Sequence, residues 1–212
     1  MRVIAIDGPA GAGKSTVSRA VAARLGLPYL DTGAMYRAVT LAVLRSGVDP
    51  DDDDAVASVA RQMTLEIDAH GIVVDGVDGT IEIRGPEVTG LVSKVSANPA
   101  VRADLRERQR AWARSAGGGV IEGRDIGSVV FPDAELKVYL SASPYERARR
   151  RAAEFGGDVD EIAAAIAARD HYDSTREDSP LTEVDGSARV DTDGRTVDQV
   201  VDAIVALLEE RS

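Results

Sequence analysis

The stretch Gly8-Pro9-Ala10-Gly11-Ala12-Gly13-Lys14-Ser15-Thr16 follows directly on the apolar run Val3-Ile4-Ala5-Ile6, and its spacing decides how the chain is read. The pattern G-x-x-x-x-G-K-S, behind a strand and ahead of a helix, is that of a phosphate-binding loop. Its glycines let the backbone turn so that successive N–H groups point inward at a nucleotide's phosphates. In this reading residues Gly8, Pro9, Ala10, Gly11, Ala12, Gly13, Lys14, Ser15 and Thr16 hold the triphosphate. Lys14 reaches its β- and γ-phosphates, and Ser15 ligates Mg²⁺. A helix is expected over Lys14–Leu25 with Gly26 as its stop, and its positive N-terminal end adds to the same site.

Composition sets the frame. A chain of 212 residues with 44% hydrophobic content can bury the core of one substantial domain with room for an inserted subdomain. There are no cysteines, which excludes disulfides and thiolate metal sites. Neither a signal peptide nor an 18-residue apolar span is read in the sequence, so a soluble, cytoplasmic protein with no membrane partner is the expectation. The net charge of −11 argues against a nucleic-acid partner, because phosphate backbones are held by accumulated Lys and Arg. Lysine occurs only at Lys14, Lys94 and Lys137; the other cations are arginines, the better bidentate clamps for phosphate.

After the first helix, Leu27-Pro28-Tyr29-Leu30-Asp31 predicts a short strand. It leads into Asp31-Thr32-Gly33-Ala34-Met35-Tyr36-Arg37, and the spacing Ala34, Ala38, Leu41, Ala42 predicts a helix to Ser46-Gly47. Ligands of open α/β sheets bind outside the carboxyl ends of the strands, so Thr32, Tyr36 and Arg37 are placed to meet one; for Arg37 the alternative is a solvated helix charge. The acidic run Asp49–Asp54, broken by Pro50, reads as a solvated turn with one Asp capping a helix over Ala55–Met63. Thr64–Asp68, Ile72–Asp75 and Thr80–Arg84 then nearly alternate, separated by Gly71 and by Gly76-Val77-Asp78-Gly79. They predict a small antiparallel meander, a substrate-side insert spanning about residues 62–98. Ser93 lies in the segment Val88–Asn98. Pro99 opens a helix over Ala100–Ser115 whose polar face carries Arg102, Arg106, Arg108 and Arg110, of which one or two could converge on a ligand.

Val120-Ile121-Glu122 has a buried-strand pattern and ends at Gly123-Arg124-Asp125-Ile126-Gly127, a charged pair at a strand's carboxyl end flanked by glycines. A strand over Leu136–Leu140 precedes a helix opened by Pro144 that carries Arg147, Arg149, Arg150 and Arg151. Helical spacing puts Arg147 on one face with Arg150 or Arg151. Past Phe155-Gly156-Gly157-Asp158 another helix ends in Arg169-Asp170-His171-Tyr172-Asp173-Ser174-Thr175-Arg176. Ala188–Asp191 is a last strand and Val197–Glu210 a closing amphipathic helix. Strands alternating with helices predict an α/β P-loop fold over 1–212, a single domain with a five-stranded parallel sheet flanked by helices.

A P-loop alone does not choose among kinases, switch GTPases and assembly ATPases. No N-K-x-D guanine-reading segment occurs, and no long apolar strand ends in an Asp-Glu pair. Four separated segments are more specific: Ile6 to Thr16, Leu30 to Arg37, Glu122 to Gly127 with Val130-Phe131-Pro132-Asp133-Ala134, and Arg169 to Arg176. In their order and over essentially the whole chain they resemble bacterial cytidylate kinases, within the nucleoside monophosphate kinases. The resemblance implies the reaction ATP + (d)CMP → ADP + (d)CDP in pyrimidine nucleotide metabolism, with ATP and Mg²⁺ as cofactors, CMP and dCMP as small-molecule partners, and a monomer.

Carried over by position, it also implies that Thr32, Tyr36, Arg37, Ser93, Arg102, Arg124, Asp125, Arg169, Asp173 and Arg176 line the CMP site. Asp125 with Ser93 would accept from the cytosine N4 amino group, Arg102 would donate to its acceptors, and a uracil O4 would face the carboxylate unfavourably. Arg37 and Arg124 suit the α-phosphate, and Asp173, supported by Arg169, suits a ribose hydroxyl. Lys14, Arg124, Arg147, Arg151 and Arg176 are the implied catalytic cations, and residues 147–160 an implied lid. Glu122 stands where the family commonly has Asp. Transfer to another small acceptor (shikimate, a sugar acid, UMP), a nucleotide-dependent switch and an RNA-associated ATPase are the alternatives.

Overall fold

Val3, Ile4, Ala5 and Ile6 leave the first strand no polar face, so it has to be covered on both sides. In the computed structural model, which describes residues 1–68 and 71–211, this strand is the centre of a parallel sheet, and all four side chains are buried. Ala69 and His70, within the expected insert, and Ser212 lie outside the described residues.

The elements run β1 (Arg2–Asp7), α1 (Lys14–Leu25), β2 (Tyr29–Asp31), α2 (Thr32–Ser46), α3 (Asp53–Gln62), β3 (Leu65–Ile67), β4 (Ile72–Val74) and β5 (Val77–Asp78). They continue with α4 (Pro86–Ala97), α5 (Pro99–Ala116), β6 (Gly118–Gly123), β7 (Leu136–Ser141), α6 (Pro144–Phe155), α7 (Val159–Thr175), β8 (Ala188–Asp191) and α8 (Val197–Glu209). They form two compact units, one of Met1–Asp31 with Arg110–Ser212 and one of Thr32–Gln109.

In the first unit the five-stranded sheet has the order β2-β6-β1-β7-β8, all pairs parallel. Ile4, Ile6, Val120, Leu136, Val138 and Leu140 pack with Val17 and Val21 of α1 and with Val200, Val201, Ile204 and Leu208 of α8 into one core. A capping box fixes the start of α8: Thr196 accepts from Gln199 N, and the Gln199 side chain accepts from Thr196 N. Register then sets where the loops emerge. Asp7 is paired with Gly123 on one side and with Tyr139 on the other, so Gly8 and Arg124 leave the same edge together.

The second unit packs α2, α3, α4 and the N-terminal part of α5 with a three-stranded antiparallel sheet of order β3-β4-β5. Asp52 caps α3 by accepting from Ala55 N (3.0 Å), and Asn98 caps α5 by accepting from Ala100 N (2.9 Å) and Val101 N (3.2 Å). The meander departs from the expectation in its third strand. Val77–Asp78, expected in a turn, pairs with β4, whereas Glu82–Arg84 forms a turn of 3₁₀-helix. That turn breaks the alternation of Thr80–Arg84: a strand would put Ile81 and Ile83 on one face, whereas here Ile83 is completely buried and Ile81 is 89% exposed.

Two glycines of the loop after β1 are fixed by space as well as by conformation. Gly8 has φ +152°, and a Cβ there would come within 2.3 Å of the Leu140 carbonyl oxygen on β7. Gly11, at φ +77°, would meet the Arg147 Cβ at 3.1 Å. Because a backbone carbonyl in a central strand pair has little room to retreat, Gly8→Ala is expected to cost about 2–3 kcal/mol and to lower the melting temperature by roughly 5–10 °C by calorimetry. A melting temperature within about 2 °C of the wild type would show that β7 yields.

Candidate active site

Two strand ends begin the site of the first unit. From β1 comes the phosphate loop, whose Gly13 is in a left-handed conformation at the N-terminus of α1. The Lys14 ammonium folds back and donates to the carbonyls of Gly8 (2.8 Å) and Pro9 (2.9 Å). From β6 comes Arg124, which donates to the same Gly8 carbonyl (2.5 Å) while its Nε lies 3.0 Å from Asp173 Oδ2. The loop that carries Arg124 and Asp125 is pinned by Asp7, the last residue of β1: its carboxylate accepts from Ile126 N (2.9 Å) and Gly127 N (2.8 Å). Beyond that anchor, Ile126–Val130 makes one turn of π-helix closed by Phe131 N to Ile126 O (2.7 Å), a wide turn of the kind that gathers at functional sites.

α7 supplies the acids that face these cations. Asp173 is buried and draws in Arg124, Arg169 (4.0 Å) and Arg176 (3.7 Å). Arg176 also donates to the Ser179 carbonyl (2.7 Å). One turn earlier, Asp170 accepts from the loop amide of Ala10 (3.0 Å) and from Arg147 Nη1, which itself donates to Ala10 O (2.9 Å). Arg150, on the next turn of α6, bonds the hydroxyl and carbonyl of Thr192 (2.8 and 2.7 Å). Lys14, Arg124, Arg147, Arg169, Asp173 and Arg176 thus meet through hydrogen bonds or ion pairs around one loop. Arg151 joins none of these: its guanidinium stacks over the Phe155 ring, 5.1 Å from the centroid.

Glu122, one residue before the end of β6, is buried and accepts from the Tyr29 hydroxyl and from Ser15 of the loop. It sits in register with Asp31 on β2. Thr16 is exposed on the first turn of α1.

Crowding of like charges and burial shift the proton affinities. Burial, and then the Arg124 guanidinium, hold the Lys14 ammonium well below its ordinary value. Burial, and then the neighbouring Asp31, push Glu122 up. Tyr29 is raised by burial and then by Glu122. Arg169 is lowered by burial and by Arg124. Asp7 is raised from 3.8 to about 6 because burial outweighs its two backbone amides.

In the second unit, Thr32 and Tyr36 are buried in the first two turns of α2. Arg37 donates to the Ile83 carbonyl (3.0 Å) and to Thr89 Oγ1 (2.9 Å). Arg102, buried on α5, lies over the Tyr36 ring at 5.3 Å and donates to the Ser96 carbonyl (3.1 Å). Ser93, half-buried on α4, passes its carbonyl to the Ser96 hydroxyl (3.0 Å). Of the other α5 arginines, Arg108 closes the C-terminal carbonyls of α3 (Ala60, Arg61) and that of Met63. Arg110, in the first unit, holds the carbonyls of Val129 and Val130.

Sequence reasoning missed Asp7, Tyr29, Asp170, Arg150 and Thr192 as individual site residues. A signal existed for three: Asp7 adjoins Gly8, Asp170 adjoins Arg169, and Tyr29 is two residues from Asp31 on the same face of a strand. A ring of arginines and one lysine around a loop of inward amides, with no nucleophile among them, is suited to positioning phosphates and neutralising the charge of a transfer between them.

Comparisons with known proteins agree. A family model described as cytidylate kinase matches residues 4–210. The chain is 49% identical over 215 residues to a cytidylate kinase of Streptomyces avermitilis, covering 99% of this chain and 93% of that one. It is 51% identical over 220 residues to a bifunctional pantoate ligase/cytidylate kinase of Parasynechococcus marenigrum, and spans 44% of the length of that relative. Among solved structures, an uncharacterized protein from Eubacterium ventriosum aligns over 99% of both chains with a TM-score of 0.54 at 13% identity, a likeness of fold alone.

Asp7 gives this geometry a pH signature. A carboxyl that titrates near 6 when folded and near 3.8 when unfolded takes up a proton on folding between those values. Its charge therefore costs stability, increasingly as pH rises from 3.8 and fully above about 6. The unfolding free energy of the wild type relative to Asp7→Asn should fall by about 2–3 kcal/mol between pH 4 and pH 7 in urea titrations. A difference that stays flat across that window would show that Asp7 titrates alike in both states.

Proposed function

The chain belongs to the cytidylate kinase family, and from that premise we propose that it transfers the γ-phosphoryl group of ATP to CMP or dCMP, giving ADP and CDP or dCDP. One observation carries this reading: Arg124, at the end of β6, is bonded at once to the carbonyl of Gly8 in the phosphate loop and to buried Asp173. A guanidinium anchored in that way is held where a donor's phosphates and an acceptor's phosphate would both meet it.

The chemistry asked of the protein is positioning and charge neutralisation. The acceptor oxygen is already anionic at neutral pH, so no general base is required. Lys14 would exchange the carbonyls of Gly8 and Pro9 for the β- and γ-phosphates. Asp170 would give up the Ala10 amide as the loop closes on phosphate, freeing Arg147 toward the same charge. Residues 147–160 are proposed as a lid that carries Arg147 and Arg151 and excludes water. Roles toward the acceptor are proposed in each unit. Arg124, Asp125, Arg169, Asp173 and Arg176 belong to the first; Thr32, Tyr36, Arg37, Ser93 and Arg102 belong to the second. Asp125 would accept from cytosine N4. The same reading keeps a cytoplasmic monomer; no helix among the described residues is long and apolar enough to cross a membrane.

The donor set suits Mg²⁺. That ion keeps several waters and takes one or two protein ligands beside substrate phosphates, and no cluster of three or more His, Cys, Asp or Glu that could hold a metal occurs among the described residues. Ser15, with its hydroxyl against the Glu122 carboxylate, would hold it. When bound, it would neutralise charge on the β- and γ-oxygens.

Two measurements test the proposal. In a coupled ADP assay offering CMP, dCMP, UMP and AMP, kcat/KM for UMP should fall about 10- to 100-fold below that for CMP, the worth of one well-made base contact. Equal values would defeat the role of Asp125, and turnover independent of any nucleoside monophosphate would defeat the function. Binding of the triphosphate should also restore the proton that burial and the Arg124 guanidinium disfavour on Lys14. Calorimetry at pH 8 in buffers of different ionisation enthalpy should therefore register proton uptake with ATP in the wild type and less in Lys14→Arg, whose guanidinium stays charged.

A further inference from the structure

Tyr29 is absent from every role assigned so far, yet it is built into the metal side of the site. It opens β2 opposite Val120, and Glu122 lies two residues further along β6. The two side chains are therefore diagonal neighbours on one face of a parallel pair, a separation that an aromatic and a long side chain can span. They do so, with the Tyr29 hydroxyl donating to Glu122 Oε1. The other end of the tyrosine is fixed from α1: the Arg19 guanidinium stands 5.4 Å from its ring centroid. Arg19 follows Ser15 by four residues, so both project from the same face of that helix. Ser15 in turn bonds Glu122. Ser15, Glu122, Tyr29 and Arg19 thus close a ring that begins and ends on one helix face.

Glu122 needs such a restraint. It is buried beside Asp31, its like-charged register partner, and a glutamate has three side-chain torsions to fix. The phenol supplies one proton to one oxygen and has no other direction in which to hold the chain. That leaves the remaining lone pairs of the carboxylate for Ser15 and for waters on an ion bound there.

We propose that Tyr29 is a positioning residue for the divalent cation, holding the Glu122 carboxylate toward Ser15 so that the ion's waters find an oriented acceptor. This rests on the reading that Mg²⁺ sits on Ser15. Groups one bond removed from a metal's ligands commonly change its affinity by 10–100-fold when lost.

Calorimetric titration of ADP, with and without Mg²⁺, tests the inference on the whole chain. In the wild type Mg²⁺ should tighten ADP; no tightening would overturn the metal reading and this inference with it. Tyr29→Phe keeps the ring and removes one oxygen. It should lower the Mg²⁺-dependent gain about 10-fold while leaving metal-free ADP affinity within about twofold. In a Glu122→Gln background, adding Tyr29→Phe should then change nothing, because the group it orients is gone. Overturning results are a full Mg²⁺ gain in Tyr29→Phe, an equal loss of affinity with and without metal, or additive losses in the double variant. Water-proton relaxation of the Mn²⁺·ADP complex gives a second readout, expected to differ between wild type and Tyr29→Phe and to stay unchanged if Tyr29 only fills space.

Discussion

The in-register pairing of β1 with a parallel neighbour on each side is the constraint from which the site follows. Asp7 ends its strand level with Gly123 and Tyr139, so the phosphate loop and the Arg124 loop begin at the same height, one strand apart. A one-residue slip would turn Arg124 and Asp125 to opposite faces and withdraw Asp7 from the amides of Ile126 and Gly127. Because β1 is apolar on both faces, its pattern alone does not forbid the slip; the Asp7 carboxylate, bonded to Ile126 N and Gly127 N, is the contact that a slip would break.

That edge is assembled from local solutions to the charge problem. Three arginines converge on one buried aspartate, and two cations share the carbonyl of Gly8. Close like charges repel strongly in a partly desolvated cleft, so the arrangement holds only because α7 supplies Asp170 and Asp173 at a spacing of three, one helical turn apart. The sequence motif Arg169 to Arg176 is in this sense a counter-ion strip for the phosphate loop.

Much of the fold was legible because the signals were local. A strand, a glycine loop and a capped helix are written in consecutive residues, and five parallel strands followed from alternation of strands and helices; their order β2-β6-β1-β7-β8 did not. The meander failed at its third strand because Thr80–Arg84 carries a strand's alternation, while Val77–Asp78 is too short and too closely flanked by glycines to announce itself. The 3₁₀ turn instead separates Ile83, buried, from Ile81, exposed, two residues that a strand would put on one face. In the site, residue types were readable but partners were not. Helix α5 shows a face of arginines, and nothing in their spacing says that Arg108 meets the end of α3 while Arg102 is buried over Tyr36. Tyr29 and Glu122 are 93 residues apart in the chain, and only strand register brings them together.

The internal pairing of the cations has a consequence for selectivity among anions. Asp170 already occupies a loop amide, and Asp173 is already shared by three guanidinium groups, so these cations have partners within the protein. A lone inorganic phosphate arriving there would have to replace carboxylates that are covalently part of the protein and therefore always at hand. It would trade one or two such contacts for its own. A triphosphate and a nucleotide monophosphate each trade several at once from a single molecule, with the nucleoside adding its own anchorage. The acids of α7 would thus act as resident competitors for any incoming anion.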